Sequence, residues 1–234
     1  MRKIDVCLSP DLMHLYKVAD RTVVVVDILR ATSCMTTAFA HGIKGITPVA
    51  KLEECLALKS DFCYTAGERD GKKVDGFDLG NSPFEYMQHY LVGKEVAFTT
   101  TNGTQAIAKS IGANEILIGS FLNLSALTNY LQHITNDVLV VCAGWKGKFN
   151  LEDTLFAGAV VELLRHELHP ECDAPLAARY LYLQARSNMI DFLKDSSHVQ
   201  RLARLGIEKD ITFCLTPDQY NVVPTLKSGK LVAL

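Results

Sequence analysis

The run Thr22-Val23-Val24-Val25-Val26 limits the fold of this chain more than any other stretch. Every residue in it is β-branched. A continuous run of this kind suits the centre of a parallel sheet, where a strand is buried on both faces. Asp27 and Arg30 follow at once, in Asp27-Ile28-Leu29-Arg30-Ala31-Thr32. They fall where the strand should end, and open α/β sheets bind ligands at the carboxyl ends of their strands. A carboxylate there can hold a hard cation through oxygen, and a guanidinium can grip an anion through paired hydrogen bonds. The competing reading is that the two side chains neutralise each other at the strand end.

The rest of the chain repeats this rhythm. Residues 2–8 read as a first strand, ended by Ser9-Pro10-Asp11. A helix over 32–41 closed by Gly42, a strand over 46–49, a helix over 52–59 and a strand over 62–66 complete a β–α–β–α–β pattern. That pattern predicts an α/β fold with three layers, helix–sheet–helix, around a largely parallel or mixed sheet. Residues 67–83 break the pattern with glycines at 67, 71, 76 and 80, and loops of this length are commonly functional. Ser82, Pro83 and Glu85 have the spacing of a helix-starting capping box. A helix N-terminus there could also meet an anion. A strand over 95–101 runs into Thr100-Thr101-Asn102-Gly103-Thr104 and a helix over 105–111. Such a turn can cradle an oxyanion, or its Asn102 or Thr104 can simply cap the helix.

Strands over 115–119 and 137–142 follow, the second opening into Ala143-Gly144-Trp145 and a helix from about 151 to 168. Glu152 and Asp153 lie in that helix's first turn, where they complement its dipole, and Asn150 with Asp153 could form a cap. One or two helices over 173–194, a helix capped by Ser196-Ser197-His198, a strand over 211–215 and a hairpin around Ser228-Gly229 complete the reading. Pro224 places the hairpin's first strand at a sheet edge. No linker or low-complexity segment divides the chain, so residues 1–234 read as a single domain with room for two lobes.

Composition narrows the function classes. The chain has 234 residues, 48% hydrophobic and 21% charged, with a net charge of −2. That supports a sizeable core and, lacking a basic excess, argues against nucleic acid or an acidic membrane as the main partner. Seven cysteines, an odd number without a C-x-x-C, argue against a disulfide framework or zinc ribbon and fit a reducing cytoplasm. The opening apolar run is too short for a signal peptide, and no stretch is long and apolar enough to span a membrane. Oligomeric state is open, with a homodimer compatible.

Several phosphate chemistries fail on the residues. No G-x-x-x-x-G-K-[ST] is present. Leu29 stands two residues after Asp27, so the paired aspartates of haloacid-dehalogenase phosphatases are missing. Cys63 and Arg69 match the thiolate-phosphatase spacing, but Glu68 and Asp70 flank the arginine and would repel a phosphate. What remains is a set of strand-end turns carrying carboxylates for a cation and donors for an oxyanion. That set suits metal-assisted phosphoryl transfer to water, with Mg²⁺ as the ion.

Taken in order, these turns resemble the 2-phosphosulfolactate phosphatase family of coenzyme M biosynthesis. The carriers are Asp27-x-x-Arg30-Ala31-Thr32, Gly67-Glu68-Arg69, residues 76–83, residues 100–104, Cys142-Ala143-Gly144, Glu152-Asp153 and Val223-Pro224. Val199, after His198, departs from the glycine expected there, which questions a role for that turn. The resemblance implies an α/β, Mg²⁺-dependent phosphatase hydrolysing (2R)-2-phospho-3-sulfolactate. Its metal would be held by Asp27, with Glu68, Asp78 and Asp153 as further candidates. Arg30 and Arg69 would hold phosphate or sulfonate. Asn81, Ser82, Thr101, Asn102, Gly103 and Thr104 would supply neutral donors, and Glu152 or Asp153 would orient the attacking water. Cys142 is a candidate nucleophile, with a small buried residue at a strand end as the stronger alternative. Another small 2-phospho-hydroxy acid as substrate, or a non-catalytic polyanion-binding module, are the alternatives. Arg30→Ala is expected to abolish activity and leave the fold intact.

Overall fold

The valine run forms β2 (Arg21–Val26), and alternate residues of it enter different cores. Val24 and Val26 pack into one apolar cluster and Val23 and Val25 into another, on the opposite face. Period-two alternation of a strand buried on both sides produces this split. The computed structural model describes residues 2–234. Its strands are β1 (Arg2–Cys7), β2, β3 (Gly45–Pro48), β4 (Cys63–Arg69), β5 (Lys72–Lys73), β6 (Glu95–Thr99), β7 (Glu115–Gly119) and β8 (Asp137–Cys142). β9 (Leu168–Pro170), β10 (Pro224–Lys227) and β11 (Lys230–Ala233) complete them. The helices are α1 (Ala31–Ala40), α2 (Leu52–Ala57), α3 (Gly103–Lys109), α4 (Leu124–His133), α5 (Leu151–Leu163), α6 (Asp173–Ala185), α7 (Met189–Leu193), α8 (Ser197–Ala203) and α9 (Glu208–Cys214).

The strands form one mixed sheet in the order β5-β4-β6-β3-β11-β10-β7-β2-β8-β1-β9. Parallel pairing joins β4, β6 and β3 in one block and β7, β2, β8, β1 and β9 in another. The β10–β11 hairpin lies between the blocks and pairs antiparallel with both. Pro224 therefore does not lie on a sheet edge. It is the first residue of an interior strand that meets β7 at Thr225 and Leu117, a position where a missing N–H is tolerated.

α5 is apolar almost all round because it is covered on both sides. Leu155, Phe156, Ala159 and Val160 are buried in the core beneath the sheet, and α6 packs against α5 from outside. Gly158 makes that crossing close: a Cβ there would sit 2.0 Å from the Ala178 carbonyl oxygen.

Other expectations change with the structure. Residues 67–73 are not loop: β4 continues to Arg69 and turns back through β5. Residues 211–215 lie in and just after α9, not in a strand. Ile207, Ile211, Cys214 and Leu215 recur at helical spacing and pack on the core, and that burial overrides the strand propensity of the individual residues. The helix from Leu151 stops at Leu163, and residues 168–170 add edge strand β9 beside β1. Ser82 and Glu85 form no capping box. Pro83–Met87 is a 3-10 turn, and Glu85 reaches back to accept the Gly80 N–H at 2.8 Å.

Candidate active site

β2 and β8 are hydrogen-bonded neighbours whose chains leave the sheet on opposite sides. After β2 the chain enters α1, whose Met35, Ala38 and Phe39 belong to one core, and after β8 it enters α5, whose Phe156 and Val160 belong to the other. A crevice must open between two such strand ends, and this is where α/β sheets place ligands. Asp153, in the first turn of α5, ties the crevice together. Its Oδ1 accepts the Ile28 N–H at 2.9 Å and its Oδ2 the Gly144 N–H at 3.0 Å, one from each side. Both oxygens are thus committed to backbone, the Asn150–Asp153 cap is not formed, and Asp153 stands behind the crevice rather than lining it. Burial, with Glu152 and Asp27 close by, pushes its carboxyl upward although the two N–H groups oppose the rise.

The crevice is lined by Asp27, Leu29, Arg30, Glu68, Gly71, Asn81, Asn102, Trp145, His198, Arg201 and Leu202, around a cavity of ≈ 20 Å³. Asp27 is buried and accepts the Ala31 N–H on Oδ1 at 3.3 Å. Burial raises its pKa to about 6; His198 opposes the rise and Glu68 and Glu152 add to it. Gly103 allows α3 to approach this carboxylate, since a Cβ there would lie 2.9 Å from both Asp27 Oδ2 and the Ala31 Cβ. The Leu29–Arg30 peptide is cis. Arg30 is buried, pairs with Asp210 through Nη1, and donates from Nη2 to the Gly71 carbonyl at 3.1 Å. Asp210 also accepts the Ser82 hydroxyl at 3.1 Å. Removing Arg30 would therefore strand a buried carboxylate, so Arg30→Ala is not the fold-neutral change expected from sequence.

Other predicted residues are distributed unevenly. Glu68 lines the crevice and holds the hairpin tip by accepting the Gly71 N–H at 2.8 Å. Arg69 does not line it. It donates to the Glu68 carbonyl at 2.7 Å and to Thr99 Oγ1 at 3.2 Å. Asp78 lies away from the crevice, accepting Thr65 N–H and hydroxyl at 2.9 Å each and pairing with Lys59 at 2.5 Å. Burial works upward on its carboxyl, but the Lys59 and Thr65 bonds outweigh that and hold it low. Asn81 and Asn102 line the crevice; Ser82, Thr101, Gly103 and Thr104 do not. The Thr104 and Thr100 hydroxyls are engaged with each other's backbone, and Asn102 Oδ1 accepts the Lys146 N–H at 3.1 Å instead of capping α3.

Glu152 is fully buried and meets His198, its Oε1 lying 2.5 Å from the imidazole Nδ1. Cys142 is fully buried, and burial pushes its thiol well up, which suits packing and not nucleophilic attack. Cys63 and Arg69 occupy opposite ends of β4, about 20 Å apart at strand rise, so they form no thiolate cradle.

Sequence reasoning missed His198, Arg201, Trp145 and Asp210. His198, Arg201 and Leu202 recur at i, i+3 and i+4, one face of α8, and that face closes on the crevice. The spacing was readable; where α8 would dock was not. The Val199 departure leaves the turn intact, since Val199 N–H still caps onto Ser196 Oγ at 3.2 Å. Three segments meet over the mouth. The Arg201 guanidinium stacks 3.9 Å from the Trp145 ring centre, and Lys146 Nζ pairs with Asp70 at 3.2 Å.

Comparison with known proteins points to one family. The family model described as 2-phosphosulpholactate phosphatase matches residues 7–229. A protein of Caldanaerobacter subterraneus, named probable 2-phosphosulfolactate phosphatase, is 44% identical over 90% of this chain and 89% of its own. A protein of that name from Thermotoga petrophila is 44% identical over 98% of this chain and 97% of its own. One from Clostridium acetobutylicum is 37% identical over 98% and 100%. A crevice that faces carboxylates with guanidinia at a strand-end switch point, in a chain matched almost end to end, belongs to a member of the 2-phosphosulpholactate phosphatase family.

Proposed function

We propose that this protein is a Mg²⁺-dependent phosphatase that hydrolyses (2R)-2-phospho-3-sulfolactate to 3-sulfolactate and inorganic phosphate, in the cytoplasm. The observation that carries the reading is the charge arrangement of the crevice. Asp27 and Glu68 share one small volume with Arg30 and Arg201, so oxygen ligands for a cation face donors for a multiply charged anion. Free thiols at all seven cysteines support the reducing compartment, and no helix of the described residues is long and apolar enough to cross a membrane.

Asp27 and Glu68 are the residues that would hold Mg²⁺. Their hard oxygens fit it, and no group of three or more His, Cys, Asp or Glu among the described residues would cage an ion alone. That matches an ion that keeps several waters and completes its shell with substrate phosphate. When bound, Mg²⁺ neutralises charge on the phosphoryl oxygens. Arg30 gives only part of its five-donor fork to Asp210 and Gly71, and the remainder is available to phosphate. Arg201 takes the place expected for Arg69, as the second cation, and faces the substrate's distal anion.

Phosphate release from 2-phosphosulfolactate, 2-phospholactate and 2-phosphoglycolate, with Mg²⁺ or with EDTA, tests the reading. Fast, Mg²⁺-dependent release favouring the sulfonate is expected. Equal rates on all three would keep the phosphatase and replace its substrate with a broader class of 2-phospho-hydroxy acids. Release from none by the folded protein would leave a polyanion-binding module.

A further inference from the structure

His198 and Glu152 form a buried pair that the reading above does not use. Glu152 is 0% exposed, and its Oε2 has no hydrogen-bond partner, so His198 Nδ1 is the only side-chain partner this carboxylate has among the described residues. A lone buried carboxylate is costly unless it is paired. Glu152 also stands in the first turn of the thirteen-residue α5, where the helix dipole favours its charge. Asn150 Nδ2 lies 3.2 Å from the same imidazole nitrogen and packs that side of the ring. Glu152 and Asn150 line a separate side cavity, whereas His198 lines both that cavity and the crevice. With Nδ1 held at Glu152, Nε2 is the ring nitrogen left free, on a residue that lines the crevice together with Asp27 and Arg30. Nε2 has no hydrogen-bond partner among the described residues and is not among the sealed-off polar atoms. A carboxylate accepting the Nδ1 proton fixes the ring's orientation and stabilises the imidazolium, and in that doubly protonated form Nε2 carries the proton that can be given away.

Building on the phosphatase reading, we infer that His198 is the general acid that protonates the leaving ester oxygen, and that Glu152 is the positioning residue that holds its imidazole. In this step the bond between phosphorus and the ester oxygen breaks and its electron pair stays on that oxygen, which takes the Nε2 proton. The water oxygen forms the new bond to phosphorus, and one of its protons passes to solvent. The imidazole regains a proton from solvent, so only ester and water are consumed. The substrate's alcohol is a poor leaving group, and a proton donor at that oxygen matters most for such esters.

The competing account is a structural clamp between α5 and α8, and leaving-group chemistry separates the two. The full-length protein and its His198→Gln and Glu152→Gln variants are assayed with Mg²⁺ on 2-phospholactate, whose leaving group is an alcohol, and on p-nitrophenyl phosphate, which needs no proton donor. His198→Gln is expected to lose roughly 10²–10⁴-fold in kcat/KM on the alkyl ester and less than about tenfold on the aryl ester. Glu152→Gln should show the same split at smaller size. Equal losses on both esters, or no loss on the alkyl ester, would overturn the inference and leave the phosphatase standing. Should a variant fail to fold, a series of alkyl and aryl monoesters on the wild type decides instead. Rates nearly independent of leaving group support the general acid, and a steep dependence overturns it. Hydrolysis of neither ester by the wild type would end the phosphatase reading and this inference together.

Discussion

The floor of the crevice and its cover are built from different physics. The floor, at the ends of β2 and β8, holds Asp27, Arg30 and Asp153 buried and tied to backbone or to an opposite charge. The cover is anchored at α8 by the buried His198–Glu152 pair, but across the mouth it is held by contacts that water reaches. The Lys146–Asp70 pair is 53% and 74% exposed on its two side chains, and exposed ion pairs contribute about 0–1 kcal/mol. The space between floor and cover has room for about one water, and the more weakly held side of it is the mouth of the cover. The contrast assigns metal and phosphoryl binding to the floor and, apart from the buried His198, recognition to the cover.

The largest effect should come from the floor. Arg30→Ala leaves Asp210 buried without its partner, so a loss of about 3–5 kcal/mol in unfolding free energy is expected along with loss of turnover. Adding Asp210→Ala should restore much of the stability and none of the activity, as chemical denaturation and phosphate release would show. Recovery of activity would mean that Arg30 serves only Asp210. Gly103→Ala comes next. Its methyl meets Asp27 Oδ2 and Ala31 at 2.9 Å, and about 1–3 kcal/mol of destabilisation is expected from such overpacking. Weaker Mg²⁺ binding should accompany it, measurable by calorimetry. Asp153→Asn replaces one acceptor oxygen with a donor and orphans either the Ile28 or the Gly144 N–H, costing about 1–3 kcal/mol. Asp70→Asn, on the cover, should change stability by less than about 1 kcal/mol. It should instead speed substrate entry, readable by stopped-flow fluorescence of Trp145, the chain's single tryptophan.

The same division explains what could be read in the sequence. The floor was legible because it is local: a β-branched run dictates a central strand, and Asp27 and Arg30 follow within four residues. The Asn102-Gly103 turn and Glu152 were legible for the same reason. Strand parity decided between neighbours that the sequence could not separate. Glu68 and Arg69 are adjacent on β4, so only one of them can face the crevice, and it is Glu68. Asp78 looked equivalent to Glu68 until Thr65 and Lys59 claimed it. The cover was not legible because it depends on where α8 and α9 dock, far along the chain. Asp210 lies 180 residues from the Arg30 it neutralises, and its helix reads locally as a strand. No local periodicity carries that information; the packing of Phe213 on Phe84 does.

The most direct test of this division is the separation of kcat from KM for 2-phosphosulfolactate in one floor variant and one cover variant. The account predicts that Asp27→Asn lowers kcat by about 10³-fold or more, as expected when charge stabilisation at the reacting phosphoryl group is removed. It predicts that Arg201→Ala raises KM about tenfold or more with kcat nearly unchanged, as expected when uniform binding is removed. A large kcat loss in Arg201→Ala beside a near-normal kcat in Asp27→Asn would contradict it.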